Sequence, residues 1–147
     1  MSKTRLLCHI VFGTRERRPT IGGEYKVELY RYIMKIINNS RCTNIRINGA
    51  ANHLHILIDL NPTVALASLM KDIKFSTSRW MKNNPKFPDF DSWGKGYFAS
   101  SVSPNSANAC IKYIETQQSH HATRDYVEEM KIFCQQYGLQ WFEDDWK

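Results

Sequence analysis

The stretch ANHLHILIDL at residues 51–60 holds two imidazoles, His53 and His55, in a run that otherwise reads as a buried strand. Residues i and i+2 of a strand share a face, so the two rings point the same way and lie close enough to share one ion. Leu54, Ile56 and Ile58 take the opposite face, toward a core. Neutral imidazole is a common transition-metal ligand, which makes the pair half of a metal site. Two half-exposed histidines bonded to their neighbours would fit these residues as well. Position 57 is Leu57, so a His-x-His-x-His arrangement is excluded. A further ligand is available in IKYIETQ, where Tyr113 and Gln117 are four apart and share a helical face. The Gln117 amide oxygen suits a hard cation, and Tyr113 would stand one turn away, near whatever the cation holds. Taken singly, Tyr113 would equally serve as a core-edge aromatic and Gln117 as a surface amide. The sequence has no Ser-His-Asp order and no glycine-rich phosphate loop.

The elements that must position these residues follow from periodicity. Residues 6–12 form an apolar strand that ends in GTRERRPTIGG, an exposed charged loop. Leu29, Tyr30, Ile33, Ile36 and Ile37 recur at helical spacing over 25–38. Residues 43–50 alternate, with Ile45 and Ile47 expected on one face and Arg46 on the other. A tight glycine-containing turn joins them to the histidine strand as an antiparallel hairpin. The longest helical pattern covers 64–82, followed by a loop with two prolines (83–96), a strand at 97–103, and helices over 106–117 and 123–137. This β-α-β-β-α-β order predicts an α+β, ferredoxin-like (split β-α-β) fold. In it an antiparallel sheet carries helices on one face, with C-terminal helices added. The whole of residues 1–147 reads as a single domain.

With 20 Lys+Arg against 14 Asp+Glu, the chain carries a formal charge of +6, which suits a polyanionic partner. On the helix over 64–82, Leu66, Leu69, Met70, Ile73, Thr77 and Trp80 share a stripe. Lys71, Lys74, Ser78 and Lys82 share the opposite one. The apolar stripe should cover the sheet and the lysine stripe meet phosphates. Arg15, Arg17 and Arg18 form a second basic cluster, suited to the same phosphate-bearing partner. His120 and His121 follow the tyrosine helix, close to the expected site. The segment 139–147, with Trp141, Phe142 and Trp146 among acids, is expected to pack against protein. The four cysteines, Cys8, Cys42, Cys110 and Cys134, form no Cys-x-x-Cys pair, which excludes zinc-ribbon and thioredoxin chemistry. The apolar stretch near the N-terminus is too short for a signal peptide and no run could span a membrane, so a cytoplasmic protein is expected.

The segments HIVFGTRERRPTI, INGAANHLHILIDLNPT, LMKDIKFSTSRWM, WGKGYFASSVSPN and IKYIETQQSHH occur in an order that resembles the small single-tyrosine HUH transposases (TnpA type) of minimal bacterial insertion sequences. The resemblance implies a DNA endonuclease and strand transferase, with Tyr113 as nucleophile and His53, His55 and Gln117 as ligands of Mg²⁺ or Mn²⁺. It further implies a homodimer acting on single-stranded DNA beside hairpins through a 5′-phosphotyrosine intermediate. In many members the tyrosine helix of one subunit completes the site of the other. One departure is Asn52, where relatives often have an acid before the histidine pair; it bears on how a histidine is oriented. The competing reading is a non-catalytic ferredoxin-like binder of single strands, with bases stacked on Tyr97 and Phe98. That reading leaves the His pair and the Tyr–Gln pair unexplained.

Overall fold

The computed structural model describes residues 1–117 and 125–146. Strands β1 (Leu7–Gly13), β2 (Thr43–Gly49), β3 (His53–Asp59) and β4 (Phe98–Ser101) pair antiparallel in the order β2-β3-β1-β4. Helices α1 (Lys26–Asn39) and α2 (Leu66–Lys82) are the crossovers, and α3 (Ala107–Glu115) and α4 (Tyr126–Gln136) follow the last strand. This is the expected split β-α-β arrangement. His120 and His121 lie outside the described residues.

Both faces of the sheet are covered, which explains why its central strands are apolar on both sides. On one face Ile10, Phe12, Leu54, Ile56 and Ile58 pack against Leu29, Ile33 and Ile37 of α1 and Leu69, Met70 and Ile73 of α2. The expected stripe of α2 therefore does meet the sheet, with Met81 buried besides. Trp80 turns aside to stack on Tyr32 of α1 at a ring separation of 4.9 Å. The loop after α2 belongs to this core as well, because Phe87, Phe90 and Trp93 are buried in it. Trp93 Nε1 donates to Thr77 Oγ1 at 2.9 Å, and Thr77 in turn donates to the Ile73 carbonyl.

The opposite face carries the chemistry. The C-terminal helices cover it, as two clusters: Leu7, Leu57 and Ile114 of α3, and Val11, Phe98, Tyr126 and Met130 of α4. Of the segment 139–147, Trp141 packs against the second cluster, whereas Leu139 and Phe142 are exposed. One expectation fails. Ile45 and Ile47 do not share a face, because a bulge between Asn44 and Arg46 shifts the register by one residue. Ile45 packs under α3 and Ile47 under the α1–α2 layer. The hairpin joining β2 to β3 needs glycine at position 49, where a Cβ would stand 2.3 Å from the His53 carbonyl oxygen.

Candidate active site

The pairing of β1 with β3 sets His53 opposite Gly13, His55 opposite Val11, and His9 opposite Leu57. The period of two then sends His9, His53 and His55 to the face under α3 and α4. Both β3 histidines are fully buried, which removes the reading of two half-exposed rings. Each is fixed through Nδ1. His53 Nδ1 lies 2.8 Å from the Asn52 amide oxygen, to which it donates. The Asn52 amide nitrogen donates to the Arg17 carbonyl at 3.4 Å, so the first loop braces the orienting side chain. His55 Nδ1 lies 2.9 Å from His9 Nε2.

The Nε2 atoms of both rings converge on Glu129 of α4. Its Oε1 is 2.9 Å from His55 and 3.3 Å from His53. Asp125 caps α4 by accepting from the Glu128 backbone N–H at 2.8 Å, which fixes the first turn and hence Glu129. The Tyr126 ring lies flat on His53, centroids 4.2 Å apart and planes 9° from parallel. That stack requires a glycine opposite His53, since a Cβ at Gly13 would meet Tyr126 Cε2 at 2.7 Å and the Asn52 carbonyl at 3.0 Å.

Tyr113 reaches the cluster from α3. Asn48 of β2 donates to the carbonyls of Ile114 and Glu115 at 2.9 and 3.2 Å, tying the end of that helix to the sheet edge. The Tyr113 hydroxyl donates to Glu129 Oε2. The phenol and the two imidazoles of one chain thus meet through one carboxylate. Burial alone would push the Glu129 carboxyl up; the His53 and His55 rings against Oε1 and the hydrogen bond from the Tyr113 hydroxyl outweigh it and hold the group below the usual carboxylate range. Burial also pushes the Tyr126 phenol far up, so it stays protonated. His9 is driven the other way, down to about 3, chiefly by burial and then by His55 beside it.

His53, His55 and Glu129 are all buried, with one ligand atom from each within 4.8 Å of the others. Two imidazoles and a carboxylate suit a divalent cation, and both rings present Nε2 because Nδ1 is engaged elsewhere. Gln117, read from the sequence as a ligand, is fully buried, and its amide N–H donates to the Tyr113 carbonyl at 3.3 Å. Glu129 and His9 escaped the sequence reading. The signal for Glu129 is an acid inside the stripe Tyr126, Met130, Phe133, Cys134 at helical spacing. For His9 it is the alternation Leu7, His9, Val11 in a strand beside the histidine strand.

A cleft of about 410 Å³ opens beside Tyr113, lined by Ser101, Ser103, Ser106, Phe133 and Tyr137, with His9 at its inner wall. Phe98 is buried against Phe133, centroids 5.4 Å apart, so that ring is no open stacking platform for bases.

The expected basic surface is uneven. Lys71 and Lys82 are exposed and Ser78 is half-buried. Lys74 instead turns its ammonium onto the carbonyls of Gly94 and Gly96, at 3.0 and 2.5 Å, where burial lowers its pKa. Arg15 and Arg18 both approach Asp91, and Arg18 pairs with Glu16 at 2.7 Å. Glu16 and Arg17 hold left-handed backbone, φ 53° and 60°, an uncommon pair of non-glycine residues that bends this loop sharply.

Comparison with known proteins bears on the fold and the family. The chain is 25% identical over 114 residues to the transposases for insertion sequence element IS200 of Salmonella typhimurium and Salmonella typhi, covering 73% of this chain and 75% of each relative. Among solved structures, the REP-associated tyrosine transposase bound to a REP hairpin superposes with a TM-score of 0.64 at 15% identity, covering 100% of this chain and 92% of that one. A provisionally assigned transposase of Deinococcus radiodurans gives 0.60 at 19% identity, covering 79% and 93%. At these identities the structural likeness speaks for the fold. The family model described as "Transposase IS200 like" matches residues 2–117, a span that takes in every strand and the tyrosine helix, and the chain belongs to that family.

Proposed function

We propose that this transposase cuts and rejoins single-stranded DNA through a covalent bond between Tyr113 and a 5′-phosphate, at sites marked by hairpins. The observation that carries the reading is the single cluster of the Tyr113 hydroxyl, Glu129, His53 and His55 beside a cleft. In the proposed step the Tyr113 oxygen attacks the scissile phosphorus, the bond to the 3′ oxygen breaks, and that oxygen takes a proton from solvent and leaves as a 3′-hydroxyl able to attack later in reverse. Glu129 Oε2 holds the phenol O–H and so aims the attacking oxygen. The phenol proton passes to solvent as the oxygen–phosphorus bond forms. Tyr126 also lies at the cluster but is buried and stacked on His53, which leaves Tyr113, half-exposed at the cleft, as the nucleophile.

His53 and His55 through Nε2, with the Glu129 carboxylate, would hold Mg²⁺ or Mn²⁺, and Gln117 stands beside Tyr113 as a further amide donor. When bound, the ion would polarise the phosphate and offset charge in the transition state. The cleft of about 410 Å³ lies in the size range of small-ligand sites. The relative bound to a REP hairpin supports hairpin recognition here too. Lys71, Lys82 and Ser78 on α2, and Arg15, Arg17 and Arg18 on the first loop, are the proposed phosphate contacts. Lys74 belongs to the same stripe through the loop it anchors. We include a homodimer in the proposal, each protomer holding its own tyrosine and histidines. Cytoplasmic action on the chromosome fits a chain in which no described helix is long and apolar enough to cross a membrane.

The test is incubation with single-stranded DNA from the gene's own flanks and Mn²⁺ or Mg²⁺, followed by denaturing electrophoresis. A protein–DNA band that needs the metal and is absent with duplex DNA supports the reading. Its absence with every flanking strand, or its persistence in excess chelator, overturns it.

A further inference from the structure

We propose that His9 is a positioning residue that holds the His55 ring so that Nε2 faces Glu129 and any cation bound there; the cation part of this rests on the proposed function. The two rings lie 5.1 Å apart, 27° from parallel, with His9 Nε2 and His55 Nδ1 separated by 2.9 Å. They are diagonal neighbours across β1 and β3, His9 facing Leu57 and His55 facing Val11, so the strand register itself delivers the contact. Three aromatic edges confine His9: Phe133 at 5.6 Å, Phe98 at 6.3 Å and Tyr113 at 6.4 Å, each within 20° of perpendicular. The ring therefore has little freedom to leave His55.

Two ring nitrogens at this distance must share one proton. If His55 Nε2 keeps its own proton for Glu129, Nδ1 accepts and His9 Nε2–H donates. If Nε2 gives its lone pair to a cation, Nδ1 carries the proton and His9 Nε2 accepts. A backbone carbonyl could serve only the second state. An imidazole serves both by exchanging tautomers, so His55 keeps its Nδ1 bond and its orientation through loading of the site.

The experiment compares His9→Phe, His9→Gln and His9→Asn with the wild type. Mn²⁺ affinity is read from the electron spin resonance of the free ion, without DNA. Imidazole N–H signals are read by ¹⁵N-edited NMR of the metal-free protein. Glutamine can place an amide at the position of His9 Nε2 and either donate or accept. Asparagine is one bond too short, and phenylalanine keeps only the shape. The expected result is a shared, slowly exchanging imidazole proton in the wild type. Mn²⁺ affinity should fall about 10- to 100-fold in His9→Phe and His9→Asn and recover largely in His9→Gln. If His9→Phe does not fold, the contrast between Gln and Asn decides. Equal Mn²⁺ affinity in all folded variants, or no bridging proton in the wild type, overturns the proposal. A wild type that shows the bridging proton and binds no Mn²⁺ instead overturns the metal reading and leaves the His9–His55 contact standing.

Discussion

Replacing Glu129 by glutamine is the most discriminating change, because one carboxylate joins the tyrosine to both histidines. Glutamine preserves the volume and one acceptor oxygen but removes the charge and adds two donors. Two opposing effects act on stability. Burying a carboxylate costs several kcal/mol, and its three partners, His53, His55 and the Tyr113 hydroxyl, offset that cost. Hydrogen bonds to a charged group contribute about 1.5–3 kcal/mol each, against about 1 for neutral pairs. Removing the charge therefore removes both sides of the balance, and metal-free Glu129→Gln should melt within a few degrees of the wild type. Function has no such compensation. Losing about 2 kcal/mol of orientation at the phenol corresponds to about 30-fold in rate at 1.36 kcal/mol per decade. Loss of an anionic ligand weakens cation binding further. Covalent adduct formation on a single-stranded flank should thus fall by about two orders of magnitude or more, with hairpin binding unchanged in a gel-shift assay. Adduct formation within threefold of the wild type, in a variant of unchanged melting temperature, would refute the idea that this carboxylate belongs to the machinery.

Further outcomes follow from the same contacts. Gly13→Ala should lose about 1–3 kcal/mol, the usual cost of overpacking, seen as a lower melting temperature, and should cleave more slowly because its Cβ meets the Tyr126 ring stacked on His53. Tyr30 is buried and its phenol is pushed from 10.0 up to about 12. Its folded-state pKa is the higher one, so its contribution is complete below pH 10 and is lost as the pH rises toward 12. That is about 3 kcal/mol, which chemical denaturation across this range would detect and Tyr30→Phe would abolish. Lys71→Ala should lower hairpin affinity and reduce the salt slope by about one ion. Lys74→Met should instead lower the melting temperature, since its ammonium holds the Gly94 and Gly96 carbonyls.

Much of the scaffold was legible because it is local. Alternation in HLHILID and apolar spacing in α1 and α2 place those elements, and their order points to the antiparallel sheet of the split β-α-β fold. The face that carries His53 and His55 follows from the period of two. What escaped was non-local or irregular. Glu129 lies 74 residues beyond His55 and meets it only because α4 crosses the sheet. It also lies beyond the span that the family model matches. His9 sits in a strand that reads as apolar, and its role appears only once β1 is paired with β3 in register. Ile45 was misplaced because a bulge leaves no mark in a simple alternation. The segment 83–96 read only as a loop with two prolines, and nothing in its local pattern shows that Phe87, Phe90 and Trp93 fill the core.

The most direct measurement locates the covalent bond. After reaction with a single-stranded flank and Mn²⁺, nuclease and protease digestion followed by mass spectrometry would identify the residue carrying the nucleotide. The account requires Tyr113 alone to carry it, with no adduct in Tyr113→Phe. A nucleotide on Tyr126, Tyr137 or any other side chain, or an undiminished adduct in that variant, would contradict it.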